Sequence, residues 1–90
     1  MANLPVIDNT EQLFSLFDRV AGKMVTPWVS NNKATAMRAL TGALLTDEQL
    51  SKNHQDYDLY MLGEWTKQGR ITPPEHGPSF VCTLSSLKAS

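Results

Sequence analysis

The sequence has little cysteine and no long apolar run. Its single cysteine, Cys82, rules out an internal disulfide. No uninterrupted apolar stretch approaches the roughly 20 residues that a membrane-spanning helix needs. The first residues, Met-Ala-Asn-Leu-Pro-Val-Ile-Asp, lack the basic and apolar regions of a signal peptide. These absences argue against a disulfide-stabilised scaffold and against a membrane protein, and they predict a cytoplasmic location.

An excess of charge of either sign is also missing. Eight Lys and Arg residues stand against nine Asp and Glu residues, which gives a net charge of -1. Attraction to a nucleic acid would therefore depend on local clusters of cations rather than on the field of the whole molecule. A chain of 90 residues with 41% apolar content forms one small domain that leaves much of its surface exposed. Dimerisation would complete such a core, so we expect a homodimer.

The common catalytic and metal-binding motifs are absent. The sequence has no P-loop, no Gly-x-Gly-x-x-Gly, no Gly-x-Ser-x-Gly and no His-Glu-x-x-His. Its scattered acidic and histidine side chains match no closed zinc pattern: His54, Asp56, Asp58, Glu75 and His76. We therefore predict that the protein is not an enzyme and that it binds no metal and no cofactor.

What the sequence does have is hydrophobic periodicity of two kinds. Apolar residues at helical spacing predict one main helix from about Asn32 to Leu45, with Asn32 among its possible N-caps. Residues 46–49 have the form of a capping box and predict one further turn that ends near Asn53. Alternating residues predict strands near 13–17, 24–28, 56–65, 71–72 and 79–84. The predicted fold class is α+β: a small antiparallel sheet of four or five strands with one main helix packed on one face.

The predicted domain covers residues 13–84. Residues 1–12 are expected to form an N-terminal arm, and residues 85–90 a polar C-terminal tail. In the strand 56–65, alternation places Trp65 on the same side as Leu59 and Met61 and opposite to Tyr60, with Gly63 as a bulge. Cys82 lies in the middle of the last strand, where a thiol usually behaves as a small buried apolar group.

Two predicted hairpin turns carry cations beside tryptophans. Basic groups that follow phosphates and flat rings that stack on bases are the usual means of holding single-stranded nucleic acid. The candidate DNA-binding residues are accordingly Arg19, Lys23, Trp28, Trp65, Lys67 and Arg70. The alternative is that the cations only keep the turns soluble, while the tryptophans belong to the core or a dimer contact. Composition alone favours this alternative, because acidic residues outnumber basic ones.

Three blocks of sequence, read together, resemble a known phage family. They are Phe14–Trp28, Asn31–Leu40 and Asn53–Trp65, the last followed by Gly-Arg-Ile at 69–71. In this order and spacing they are similar to the small nonstructural protein of gokushovirus-type microviruses (Microviridae), bacteriophages with circular single-stranded DNA genomes. The resemblance implies a nonstructural, DNA-binding protein of the host cytoplasm that acts in genome synthesis or packaging. It implies no particular site residue.

Two functions follow as hypotheses. The first is binding of single-stranded DNA without sequence specificity, with the four cations on phosphates and Trp28 or Trp65 as stacking surfaces. The second is a protein-protein interaction module that contacts viral replication, capsid or host components. The slightly acidic composition suits the second hypothesis better.

Overall fold

The computed structural model describes residues 10–88, which form a six-stranded antiparallel sheet with helices packed on one face. The predicted α+β class is confirmed, with one strand more than expected. The first four elements along the chain are β1 (Thr10–Asp18), β2 (Lys23–Met24), β3 (Trp28–Ser30) and α1 (Lys33–Thr46). The remaining elements are α2 (Glu48–Lys52), a 3-10 turn (His54–Asp56), β4 (Tyr57–Thr66), β5 (Ile71–Thr72), β6 (Ser79–Thr83) and α3 (Leu84–Lys88).

The long strands β1 and β4 form the centre of the sheet. They pair antiparallel along their whole length, from Thr10 opposite Thr66 to Asp18 opposite Tyr57. The short strands β2 and β3 follow one another along the outer side of β1. In the same way, β5 and β6 lie along the outer side of β4. The two central strands therefore set the position of every other part of the sheet.

The extra strand arises because a single predicted strand, 24–28, is split. Pro27 has no backbone N–H and cannot donate to the ladder, so β2 ends before it and β3 begins after it. Opposite this interruption, the fully buried hydroxyl of Ser15 donates to the carbonyl of Val25 at 2.6 Å. A side chain of β1 thus supplies a donor to a carbonyl of the segment between β2 and β3.

The helices begin close to where the sequence predicts. Asn32 caps α1, and its side-chain oxygen accepts a hydrogen bond from the Thr35 N–H at 2.9 Å. The further turn predicted after residue 46 is the helix α2, but its cap is Asp47 rather than Thr46. The Asp47 Oδ1 accepts from the Leu50 N–H at 3.0 Å, and the Asp47 N–H donates to the Ala43 carbonyl at 2.7 Å. One residue therefore ends α1 and begins α2.

The core lies between the sheet and the helices. Phe14, Leu59 and Leu84 are fully buried in it. Burial of such side chains stabilises the fold by about 1.5–3 kcal/mol each. The buried apolar cluster takes residues from β1, β4, α1 and α3: Phe14, Leu16, Ala36, Leu40, Leu44, Leu59 and Leu84. The helices of the described chain thus cover the face of the sheet that carries Phe14, Leu16 and Leu59.

The structure places both ends of the domain differently from the prediction. Residues 10–12, expected in the arm, begin β1 and pair with residues 64–66 of β4. Residues 85–88, expected in a polar tail, belong to α3, because Leu84 and Leu87 lie three positions apart and both contact the core. Residues 1–9 and 89–90, the rest of the predicted arm and tail, lie outside the described residues.

A bulge in β4 places Trp65 on the side of the sheet opposite to the predicted one. Leu13 pairs with Gly63 but Phe14 pairs with Met61, so Leu62 is an extra residue with no partner in β1. Beyond this bulge the alternation is reversed, and Trp65 pairs with Glu11. Trp65 therefore lies on the side of the sheet away from the helices, not with Leu59 and Met61 as predicted.

Candidate functional site

The face of the sheet away from the helices, here called the open face, carries apolar side chains. On β1, Phe14 and Leu16 point to the core, so the alternating residues Leu13, Ser15 and Phe17 belong to the open face. Directly paired residues of antiparallel strands share a face. Each strand that pairs with β1 or β4 can thus be assigned to one side or the other from its register.

Three aromatic rings form a line across one half of the open face. Phe17 of β1, Tyr60 of β4 and Phe80 of β6 come from three neighbouring strands. The ring centroids of Phe17 and Tyr60 are 6.3 Å apart, and those of Tyr60 and Phe80 are 5.7 Å apart. Both contacts are edge-to-face, with interplanar angles of 81° and 74°, an arrangement that aromatic pairs prefer. We call these three residues the ring row.

The ring row is accessible to a ligand at its outer end. Phe80 is 53% exposed, whereas Phe17 and Tyr60 are half-buried. An exposed phenylalanine lacks the stabilising free energy that burial of its side chain would supply. A residue with a purely structural role would gain that free energy by being buried. The ring row is therefore a candidate binding surface, and it contains none of the residues that the sequence singled out as site residues.

The other half of the open face is also apolar. Trp65 pairs with Ile71, and Leu13 pairs with Val29, so all four side chains belong to this face. Ile71 is 57% exposed and Val29 is 40% exposed. Together with the ring row, these residues extend an apolar surface along the sheet, and extended exposed apolar surface commonly marks an interaction site.

Arg19 lies at the end of the open face that carries the ring row, whereas Lys23, which pairs with Asp18, belongs to the side of the sheet that carries Phe14 and Leu16. Arg19 directly follows β1, and Lys23 begins β2. The Arg19 Nε lies 3.6 Å from the Asp58 Oδ2, which is a long ion pair. The Arg19 side chain is 48% exposed, whereas the Asp58 side chain is 11% exposed and its Oδ1 is buried without a hydrogen-bond partner. The carboxylate thus holds Arg19 beside the ring row while one of its own oxygens stays unsatisfied.

Lys67 and Arg70 lie at the opposite end. They belong to the turn after β4, which is closed by the Gly69 N–H donating to the Thr66 carbonyl at 2.8 Å. The nine residues of β1 separate the two turns, and at about 3.3 Å per residue this distance is roughly 25–30 Å. The structure therefore places two of the candidate cations at each end of the central strands and not in one cluster.

The two tryptophans lie on different faces. Trp28 pairs with Phe14 and belongs to the core side, where the two ring centroids are 6.2 Å apart and the rings are tilted by 32°. Trp65 belongs to the open face, next to the turn that carries Lys67 and Arg70. Of the two predicted stacking residues, only Trp65 shares a surface with the ring row.

Two further groups considered in the sequence, Cys82 and His54, have structural partners. Burial raises the pKa of the Cys82 thiol, and the nearby Asp58 raises it further, although a hydrogen bond with Ser86 acts in the opposite direction. A raised pKa keeps the thiol neutral, and a neutral thiol is a poor nucleophile. His54 Nδ1 lies 2.9 Å from the Ser85 hydroxyl and links the 3-10 turn to α3.

Residues 10–88 contain neither a group of metal ligands nor a membrane-spanning helix. Within this range no three His, Cys, Asp or Glu side chains are grouped closely enough to hold a metal ion. None of the helices in the same range is long and apolar enough to span a membrane.

A comparison with known protein families gave a match that spans nearly all of the described residues. Residues 11–87 match the family model described as phage ORF5 protein. Neither a curated protein nor a solved structure matches the chain.

Proposed function

Because the chain belongs to the phage ORF5 protein family, we propose that it is a nonstructural protein of a gokushovirus-type microvirus. Its proposed activity is the binding of single-stranded DNA, without sequence specificity, during genome synthesis or packaging in the host cytoplasm. The observation that carries this proposal is the ring row on the open face.

The open face offers the stacking surfaces that such binding uses. Aromatic side chains stack on successive bases through the faces of their rings. Every base has a flat face that can stack, so the binding does not depend on sequence. Phe80 at the edge of the sheet and Trp65 at the far end of β4 supply rings on the same face. Trp28 is left out of the proposed interface because it packs against Phe14 on the core side.

The cations at the two ends of the sheet suit a strand that runs along the open face from end to end. Arg19 would contact a phosphate beside the ring row, and Lys67 and Arg70 would contact phosphates beside Trp65. Lys23 lies on the other side of the sheet and is left out of this arrangement. The separation of roughly 25–30 Å between the two turns matches a site of several nucleotides, as in other single-strand binding domains. In this arrangement the bases occupy the apolar centre and the phosphates approach the charged ends.

A fluorescence titration with oligo-dT tests the proposal. We expect quenching of Trp65 with a salt-dependent affinity, because contacts with phosphates release counterions. Two to four such contacts predict a fall of about 7- to 50-fold between 50 and 200 mM salt, from a slope of about 0.7 per contact. The variant Trp28→Phe removes the second indole, so that the signal comes from the open face alone. Absence of both quenching and salt-sensitive binding would refute the proposal.

The ion pair between Arg19 and Asp58 leads to a prediction of tighter DNA binding. Asp58→Asn removes the carboxylate that competes with phosphate for Arg19, and we expect oligo-dT to bind about 1.4- to fivefold more tightly, given about 0.2–1 kcal/mol for an ion pair that solvent reaches at one partner. The control is Glu48→Gln, which changes the net charge equally but lies on α2. Equal effects of the two substitutions would assign the gain to net charge and not to Arg19.

A protein-interaction module remains the second candidate, since Val29 and Ile71 are exposed apolar residues outside the ring row. Its partners would be viral replication, capsid or host components. Capture of partners from infected cells, repeated after nuclease treatment, distinguishes the two functions. A partner that is held through DNA is lost on nuclease treatment, whereas a directly bound protein is retained.

A further inference from the structure

Two acidic side chains of the described strands belong to the open face, one near each end. Asp58 pairs with Phe17, and Glu11 pairs with Trp65. The carboxylate of Asp58 has a cation beside it, since the Arg19 Nε lies 3.6 Å away. Glu11, in contrast, forms no ion pair within the part of the chain that the structure describes. The unpaired carboxylate of Glu11 therefore needs a different explanation.

Glu11 lies within reach of any base that stacks on Trp65. Directly opposed residues of an antiparallel pair have Cβ atoms about 4.5–5.5 Å apart. Both side chains are half-buried, and both belong to the open face. The carboxylate can thus meet the edge of a base whose flat face covers the indole.

A carboxylate at this place would weaken DNA binding unless the DNA supplied hydrogen-bond donors. Phosphates held by Lys67 and Arg70, in the turn that follows β4, would carry the same charge as Glu11 and repel it. A charged group that loses water on binding is costly unless it is paired or hydrogen-bonded. Hydrogen bonds to an ionised acceptor are about twice as strong as those between neutral groups. The ligand that suits Glu11 is therefore a base that presents donors to it.

Of the four bases, guanine presents the best donors. The Watson–Crick edge of a single-stranded base is free to bond with protein. In guanine this edge carries N1–H and N2–H₂ side by side, so two parallel hydrogen bonds can reach the two oxygens of one carboxylate, as arginine does. Adenine and cytosine offer one amino group next to a ring-nitrogen acceptor, and the N3–H of thymine lies between two carbonyl oxygens. An acceptor beside the donor repels the second carboxylate oxygen, so these three bases fit less well.

We propose that Glu11 selects guanine for the one nucleotide that stacks on Trp65. The guanine N1–H and N2–H₂ donate to the two carboxylate oxygens, while Lys67 and Arg70 contact neighbouring phosphates. This inference rests on the proposed function, and it adds a preference at a single position to binding that is otherwise independent of sequence. The remaining rings of the open face stack on any base.

Fluorescence anisotropy of three labelled oligonucleotides tests the selection. They are oligo-dT and the same strand with its central thymidine replaced by deoxyguanosine or by deoxyinosine. We expect the guanine strand to bind at least about fivefold more tightly than oligo-dT, the lower end for bidentate base recognition. Inosine lacks only the N2 amino group of guanine, so its strand should lose most of this gain. A single guanine per strand keeps G-quadruplexes from forming.

Glu11→Gln tests the residue. It keeps the length of the side chain but leaves one acceptor and no charge, so the guanine strand and oligo-dT should bind with equal affinity. The ratio of the two affinities is the readout, because removal of a negative charge raises both. The control is Glu64→Gln, which makes the same change in charge next to Trp65. Glu64 is exposed and pairs with Gln12 on the core side, so its substitution should leave the ratio unchanged.

Circular dichroism checks that both variants are folded. Equal binding of the guanine strand and oligo-dT by the wild type refutes the selection of guanine and leaves the proposed function intact. The selection is also refuted by an inosine strand that binds as tightly as the guanine strand, by a preference that persists in Glu11→Gln, and by one that disappears in Glu64→Gln. Failure of all three strands to bind refutes the proposed function, and the selection with it.

Discussion

Replacement of Tyr60 with alanine is expected to weaken oligo-dT binding about 5- to 150-fold, since stacking contributes about 1–3 kcal/mol per base. Tyr60 is the middle ring of the ring row and contacts both Phe17 and Phe80. Its removal takes away one stacking surface and the edge that holds each neighbouring ring in place. The loss should therefore exceed that of an isolated ring.

The matched variant for this experiment is Tyr60→Phe. It keeps the ring and loses only the hydroxyl, so its affinity should stay close to that of the wild type. Fluorescence anisotropy of a labelled oligo-dT measures both variants at one salt concentration. Unchanged affinity in a folded Tyr60→Ala protein would show that DNA, if bound, does not use the ring row.

The second large effect is on stability. Gly63→Ala is expected to destabilise the fold by about 1–3 kcal/mol, the usual cost of overpacking. A Cβ at Gly63 would lie 2.7 Å from the Thr72 carbonyl oxygen and 3.3 Å from the Pro73 Cα. Both atoms are backbone, so the chain at the end of β5 would have to move away from β4.

Gly42→Ala is expected to stabilise the protein, whereas Gly63→Ala is expected to destabilise it. A Cβ at Gly42 meets no atom within 4 Å, and the residue lies inside the helix α1. Alanine stabilises a helix interior by about 0.5–1 kcal/mol relative to glycine. Urea unfolding followed by tryptophan fluorescence measures both variants. The close contact between β4 and β5 would be disproved if Gly63→Ala unfolded at the same urea concentration as the wild type.

Local sequence patterns were sufficient to predict α1, α2 and most strands, but not α3. The helix α1 follows from apolar spacing and the cap at Asn32, both of which depend only on neighbouring residues. The strand β4 follows in the same way from alternation up to Met61. Pro27 marked the end of a strand, although the sequence did not show that the chain would rejoin β1 as β3.

The candidate site depends on information that local patterns do not contain. Phe17, Tyr60 and Phe80 lie in separate strands, and only the register of three strands places their rings in line. The side of Trp65 depends on the single extra residue Leu62, because a shift of one residue exchanges the two faces of a strand. The opposite ends occupied by the two pairs of cations follow from the antiparallel pairing of β1 with β4.

Asp47 joins α1 to α2 through two different groups, because its backbone N–H closes α1 and its side chain caps α2. A helix of five residues is too short to persist in water by itself, so α2 relies on what fixes its first turn. That anchor is the carboxylate that accepts from the Leu50 N–H, while the same residue closes the last turn of α1. Loss of this carboxylate would remove the cap from the first turn of α2, whereas the backbone bond that ends α1 would remain.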